Sequence, residues 1–496
     1  MSVTVIKKDE VYLKIRAEPD VMLELNDIFT FSVPGAQFTP AFKHKMWDGK
    51  IRLLSIHGGE LYIGLLPYVK AYCEKNDLEF IDQVTESGLD ENEGAELDHY
   101  INGLKFHSKG IPIDIRDYQR QAVFDSLNVY KNLLLSPTAS GKSLIIYALM
   151  RWHLDAGRKQ LIIVPTTSLV EQMYKDFADY ASETSWRVED HCTRIYSGKE
   201  EQDRPVIIST WQSLYKRPKS YFEQFDVVFG DEAHQYKAKS LTAIMTKLVN
   251  AKYKVGTTGT LDGAQTHKMV LEGLFGPVNK ITTTKELMDA NQLAELKITC
   301  IQLLYPDADR KLCKKFTYQE EIDWIISNVR RNKFIRNLVC TQMGNTLMLF
   351  NYVEKHGKIL YEMIQAKVAD GRKVFFVHGG VIADDREAIR EITETETNAI
   401  IVASLGTFST GINIRNLHNI VFASPTKSRI RNLQSIGRGL RIGDQKTVYK
   451  LYDIGDDLSW KSHKNYTLLH MIERIKIYNE ELFDYKFISV PLYEPT

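Results

Sequence analysis

Short unbroken apolar runs recur along most of the chain, separated by stretches with helical spacing. They are Leu133 to Leu135, Leu161 to Val164, Val206 to Ile208 and Val227 to Phe229. A second series follows: Leu347 to Phe350, Val374 to Val377, Ala399 to Ala403 and Ile420 to Ala423. A strand covered on both faces has no polar side to alternate with, and its alternation with helices marks βαβ units of a parallel sheet. The two series predict two α/β domains in tandem, over 111–286 and 337–470. Residues 287–336 mix charged and apolar positions and read as a connecting segment made of a strand and a helix, and 471–496 as a C-terminal helical extension. Upstream the pattern changes to alternating runs such as VYLKI and KIRLLSI, which predict a small α+β domain over 1–88. Between Asp82 and Asp98 lie seven acids, two glycines and no Lys or Arg, so 89–110 reads as an acidic, solvated linker and entry segment.

Composition narrows the class. Hydrophobic residues make up 44% and charged residues 26%, as in an ordinary globular protein and unlike a disordered one. Lys and Arg number 64 against 63 Asp and Glu, so any nucleic-acid surface must come from local clustering of basic residues. The five cysteines include no Cys-x-x-Cys pair, which argues for inert thiols in a reducing compartment over a zinc site or a disulfide framework. The first residues are charged where a signal peptide needs an apolar run, and no apolar stretch approaches the ~18 residues of a membrane span. A protein inside the cell, with no membrane partner, is expected.

The chemistry begins at Leu133-Leu-Leu-Ser-Pro-Thr-Ala-Ser-Gly-Lys-Ser143, a strand, a loop and a helix start. Such a loop turns backbone N–H groups and the positive end of a helix toward a triphosphate. Pro137, Thr138, Ala139, Ser140 and Gly141 would form the cradle. Lys142 would reach the β- and γ-phosphates of ATP, and Ser143 would hold Mg²⁺. Ser136 stands where the usual pattern has its first glycine. The run Asp226-Val-Val-Phe-Gly-Asp-Glu-Ala-His234 is a buried strand ending in two carboxylates. Asp231 is expected to bind Mg²⁺ and Glu232 to act as general base on the attacking water. Adjacent acids repel unless a cation compensates them, which favours a site over a chance pair.

The segments from Arg116 to Asp453 resemble helicase superfamily two, which implies two RecA-like domains. Arg116-Asp-Tyr-Gln119 resembles its Q motif, so the likeness gives Arg116 and Gln119 the adenine. Val164-Pro-Thr-Thr-Ser-Leu-Val-Glu-Gln-Met173 and Ser209-Thr-Trp-Gln-Ser213 resemble motifs Ia and Ib, where the family grips a strand's backbone. Thr166 and Thr210 could donate to phosphates there, whereas Trp211 could stack or simply pack. Asp231-Glu-Ala-His234 is the DEAH form of motif II, adding His234 to the nucleotide site, and Thr258-Gly-Thr260 resembles motif III. Ile401 to Asn413 resembles motif V and includes Gly411; Asn413 stands where an Asp is common. Gln434-Ser-Ile-Gly-Arg-Gly-Leu-Arg441 matches motif VI. By that likeness Gln434 faces the nucleotide, and Arg438 and Arg441 are arginine fingers that act when the cleft closes.

Phe38-Thr-Pro-Ala-Phe-Lys-His-Lys-Met-Trp-Asp-Gly-Lys-Ile-Arg-Leu-Leu54, Glu295-Leu-Lys-Ile298 and Phe316-Thr-Tyr-Gln-Glu-Glu-Ile322 carry a narrower resemblance, to the UvsW family of helicases of T-even-type bacteriophages. The resemblance spans nearly the whole chain. It implies ATP-driven work on branched DNA: Holliday junction migration, fork reversal, R-loop unwinding and annealing in phage recombination, replication and repair. Implied partners are single-stranded and double-stranded DNA junctions, RNA–DNA hybrids and phage recombination or single-strand-binding proteins, in the cytoplasm of the bacterial host. The N-terminal residues support a nucleic-acid face on their own. Lys43, His44, Lys45, Lys50 and Arg52 crowd around Phe42 and Trp47, where cations would meet phosphates and aromatics would stack on bases. A solvated basic edge over a Trp-containing core is the alternative. At the level of activity the rivals are a DEAH-type RNA helicase, a restriction-type translocase subunit, and an annealing protein whose ATPase is vestigial.

Overall fold

The computed structural model describes residues 2–33, 35–84, 88, 91–196, 199, 202–261, 265–368, 371–380, 389, 392–393, 395–411, 416–424, 428–440 and 448–493, with a few helix side chains, Arg438 among them, outside that description. Two compact units comprise Met1–Ser136 with Gly141–Thr282, and Pro137–Ser140 with Thr283–Thr496.

The first unit opens with β1 (Ser2–Lys7), β2 (Tyr12–Arg16), β3 (Thr30–Ser32), β4 (Lys50–Arg52), β5 (Glu60–Tyr62) and β6 (Glu79–Gln83). β5-β2-β1-β6 form one sheet, while β3 and β4 pair as a separate antiparallel ribbon. Helices Pro19–Ile28 and Leu66–Lys75 contribute Val21, Leu25, Val69 and Cys73 to a core with Val3, Val5, Leu13 and Ile15. This is the expected small α+β domain. A hairpin of β7 (His107–Ser108) and β8 (Ile111–Pro112) leads into the larger sheet.

That sheet contains β9 (Lys131–Leu135), β10 (Gln160–Val164), β11 (Cys192–Ile195), β12 (Val206–Thr210), β13 (Val227–Asp231), β14 (Tyr253–Thr258) and β15 (Val278–Lys280). Their order is β11-β12-β10-β13-β14-β9-β15 and every pair is parallel. Successive side chains on a strand point to opposite faces. Accordingly Leu134, Ile162, Val164, Ile208 and Phe229 enter one core, and Leu133, Leu161, Ile163, Ile207 and Val228 enter the other. Both faces are covered, as the unbroken apolar runs require.

The second unit has β16 (Glu295–Leu304), β17 (Thr346–Phe350), β18 (Val374–Val377), β19 (Ile400–Ser404), β20 (Asn419–Phe422), β21 (Val448–Asp457) and β22 (Tyr485–Pro491), in the all-parallel order β18-β19-β17-β20-β21-β16-β22. Two tandem RecA-like sheets after a small N-terminal domain are thus the fold.

Three readings of the sequence need correction. The acidic stretch is not all solvated linker, because Glu91–Gly103 is helical and sends Leu97 and Ile101 into the first sheet's core. Residues 287–336 are not merely a connector, since β16 pairs with β21 over its whole length and Arg331 lies buried in the same unit. Arg331 Nε donates to Asp456 Oδ1 at 2.7 Å, and Nη2 donates to the Ala423 carbonyl at 2.9 Å. The C-terminal segment is not only helical, because β22 adds an edge strand beside β16.

Candidate functional site

Parallel register gathers the motifs at one edge of the first sheet. Leu135 pairs with Thr258, Asp231 with Thr257, and Val164 with Thr210. The segments that follow β9, β10, β12, β13 and β14 therefore emerge together at the carboxyl edge, where α/β sheets bind ligands.

After β9 the loop residues in left-handed conformation are Ala139 (φ 68°) and Gly141 (φ 80°), and Gly141 is the N-cap of helix Lys142–Asp155. The left-handed φ of Gly141 favours glycine, and a Cβ there would have to push aside the end of the Gln119 side chain. Ser136 is not among the left-handed residues. Its backbone therefore does not call for glycine, and its N–H donates to the Thr258 carbonyl at 2.9 Å. Lys142 Nζ donates to the Ser136 carbonyl at 3.2 Å, and Ser140 Oγ donates to the Pro137 carbonyl at 2.7 Å. Ser143 Oγ lies 2.7 Å from the Tyr180 hydroxyl.

Asp231 closes β13. Burial pushes its carboxyl up from the ordinary range, the Glu232 carboxylate adds to that, and Lys142 and a hydrogen bond from Thr257 oppose it. Thr257 Oγ1 donates to Asp231 Oδ1 at 2.7 Å. Glu232 sits at φ 51°, a strained backbone of the kind found at functional sites. Buried His234 stands between the acids and motif III: its Nδ1 is 3.3 Å from Glu232 Oε2 and 3.1 Å from Thr258 Oγ1. Thr258 Oγ1 in turn donates to the Thr260 carbonyl at 3.0 Å. Paired carboxylates, a serine hydroxyl and one ammonium group make an oxygen-rich, electrostatically unbalanced set that fits a hard divalent cation.

Other expected residues have local duties in this structure. Gln119 is buried and caps its own helix, accepting from the Arg116 N–H at 2.9 Å, while Arg116 Nη1 donates to the Tyr118 hydroxyl. Thr166 caps helix Thr167–Tyr180 through Leu169 N. Thr210 Oγ1 lies 3.2 Å from Ser213 Oγ, and Trp211 packs half-buried against the core. In the second unit Gly411 ends helix Leu405–Gly411 and Gln434 is half-buried on helix Arg429–Gly439. Asn413, Arg441 and the Arg438 side chain lie outside the described residues.

On the N-terminal domain Lys43, His44, Lys45, Lys50 and Arg52 are exposed around half-buried Trp47. Trp47 Nε1 donates to the Lys50 carbonyl at 2.8 Å, and Arg52 pairs with Asp48 at 2.5 Å. Phe38 and Met46, each 74% exposed, stand beside the cations and were not singled out from the sequence. Also missed were Thr257 and Tyr180, single hydroxyls whose partners are distant along the chain. The five cysteines are free thiols, four of them buried. Among the described residues no helix is long and apolar enough to cross a membrane.

Known proteins match this arrangement over its whole length. Residues 2–82 fit the model "DNA helicase UvsW, N-terminal", 112–263 fit "Type III restriction enzyme, res subunit", and 330–443 fit "Helicase conserved C-terminal domain". The ATP-dependent DNA helicase uvsW of Enterobacteria phage T4 is 36% identical over 515 aligned residues, covering 99% of this chain and 100% of that protein. The crystal structure of T4 UvsW aligns over 99% of this chain and 100% of that one, with 34% identity and a TM-score of 0.51. A Type ISP restriction-modification enzyme, LlaBIII bound to DNA, shares the fold at 15% identity and a TM-score of 0.56, over 84% of this chain and 34% of that one.

A RecA-like sheet with phosphate loop, DEAH strand and motif III at one edge, followed by a helicase C-terminal domain, defines an ATP-dependent helicase of superfamily two. The chain belongs to the UvsW family of phage DNA helicases.

Proposed function

We propose that this protein is an ATP-driven DNA motor that remodels branched DNA, migrating four-way junctions, reversing forks, unwinding R-loops and annealing strands during phage recombination, replication and repair. The observation that carries the ATPase half is the joined set of Lys142, Asp231, Glu232, His234, Thr257 and Thr258 at one sheet edge. Full-length kinship with a phage DNA helicase carries the choice of DNA.

In this reading Lys142 neutralises the β- and γ-phosphates, and Pro137 to Gly141 give them backbone N–H groups. A Mg²⁺ ion held by Ser143 and Asp231 would offset charge on the phosphate oxygens. Glu232 takes a proton from the attacking water, and His234 keeps its carboxylate beside motif III. Arg116, Gln119, Gly411 and Gln434 serve the nucleotide, and Arg438 and Arg441 the transition-state charge. Thr166, Thr210 and Trp211 meet one strand at the ends of β10 and β12. Lys43, Lys45, Trp47, Lys50 and Arg52, with exposed Phe38 and Met46 beside them, meet a DNA branch. The protein works in the host cytoplasm, alongside phage recombination or single-strand-binding proteins.

The test is ATP turnover with product analysis on a synthetic four-way junction, a fork and an RNA–DNA hybrid side by side. Turnover stimulated by branched DNA, with migrated products, is expected. Strongest stimulation by RNA would assign an RNA helicase, and annealing without turnover would assign a non-motor protein.

A further inference from the structure

Ser143 occupies the first turn of helix Lys142–Asp155, and its hydroxyl meets that of Tyr180 at 2.7 Å. Tyr180 is the last residue of helix Thr167–Tyr180, which begins at the Thr166 cap of motif Ia. The tyrosine is not a loose surface ring. Its ring centroid lies 5.5 Å from that of fully buried Tyr147, which also contacts Phe177 and Trp186 at 5.4 and 5.7 Å. Arg151 Nη1 donates to the Tyr147 hydroxyl at 2.7 Å and its guanidinium covers the Trp186 ring at 4.7 Å. This packing fixes where the Tyr180 oxygen sits.

A serine hydroxyl that ligates a cation gives it a lone pair and must turn its proton away from the positive charge. The Tyr180 oxygen is a hydroxyl acceptor already within hydrogen-bond distance of Ser143. We propose that Tyr180 is a positioning residue for the nucleotide site: it accepts the Ser143 proton, aims the serine lone pair at the metal, and ties the phosphate-loop helix to the far end of the motif Ia helix. This rests on the reading of Ser143 as a metal ligand. Either hydroxyl can donate before metal binds; only the Ser143-to-Tyr180 direction is compatible with a bound cation.

The experiment titrates a fluorescent ADP into the full chain, once with Mg²⁺ and once with EDTA, for the natural protein, Tyr180→Phe and Ser143→Ala. The phenylalanine keeps the ring and its packing. One neutral hydrogen bond corresponds to roughly a five- to ten-fold effect. Tyr180→Phe is therefore expected to shrink the Mg²⁺-dependent gain in affinity by that factor while leaving affinity in EDTA unchanged. A gain equal to the natural protein's, with Ser143→Ala impaired, overturns the role of Tyr180 alone. Equal weakening with and without Mg²⁺ also overturns it, because a purely structural tyrosine would do that. A Ser143→Ala variant with its full Mg²⁺ gain removes the ligand reading and the proposal together.

Discussion

Thr257 is one methyl-bearing hydroxyl on a buried strand, and it bears on how readily Asp231 carries its charge. Asp231 is already pushed up by burial and by Glu232, and the Thr257 hydrogen bond and Lys142 pull the other way. Thr257→Val keeps the shape and removes the donor, so the Asp231 carboxyl should rise further. The acid limb of the ATPase pH profile is then expected to move to higher pH, with turnover falling most on the acid side. An acid limb left in place would show that the bond does not control the carboxylate. Lys142→Ala should abolish DNA-stimulated hydrolysis while DNA binding survives; unchanged turnover would refute the phosphate site. The residues of this site differed in legibility for a physical reason. Lys142, Ser143, Asp231 and Glu232 lie in contiguous runs that match the phosphate-loop and DEAH patterns. Thr257 and Tyr180 act through single contacts across 26 and 37 residues, which leave no local pattern.

Among elements, the strands buried on both faces were readable because an unbroken apolar run follows the first residue, as in QLIIV of β10 and TLMLF of β17. β16 was readable only as a connecting strand, because ELKITCIQLL breaks the run with Lys297, Thr299 and Gln302 and so does not announce a member of the second sheet. β22 was hidden for another reason: six of its seven residues are exposed, so burial never shaped its composition. The helix Glu91–Gly103 was masked by its own outer face. Its acids dominate the composition, while Leu97, Ile101 and Leu104, spaced four and three residues apart, all face the core. Leu97 is 1% exposed. Leu97→Ala is accordingly expected to destabilise the first unit by about 2–5 kcal/mol, the range for deleting a well-packed leucine. Chemical unfolding would measure it, and a loss below 1 kcal/mol would return the segment to the status of a linker.

Across the first unit as a whole, the N-terminal domain is built into the helicase sheet and not merely strung before it. The turn at Glu10 meets the amino ends of β9 and β14, the same two strands whose carboxyl ends carry the phosphate loop and motif III. Lys131 Nζ and Lys7 Nζ each reach the Glu10 carboxylate at 2.6 Å, and the Glu10 N–H donates to the Val249 carbonyl at 3.0 Å. Nearby, a Cβ at Gly64 would strike the Glu272 carbonyl, and the Tyr68 hydroxyl donates to the Glu272 carboxylate at 2.6 Å. None of this was legible, since the sequence shows two domain patterns and an acidic stretch but not which turn docks on which strand end.

The docking seals in Lys254, which is 1% exposed and donates from Nζ to the Glu10 carbonyl at 2.8 Å. Burial, helped by Lys131, pushes its ammonium down to about 7. The unfolded chain holds that proton until about 10.4, so between the two values the unfolded state binds more protons and stability rises with pH. The penalty is complete below about 7 and is relieved by up to about 1.4 kcal/mol per pH unit above it. Lys254→Met fills the space without a charge and should flatten that rise. Unfolding midpoints measured from pH 6.5 to 9 are expected to converge as the natural protein gains on the variant. Parallel curves would mean that water reaches Lys254, and that the N-terminal domain does not close this end of the sheet.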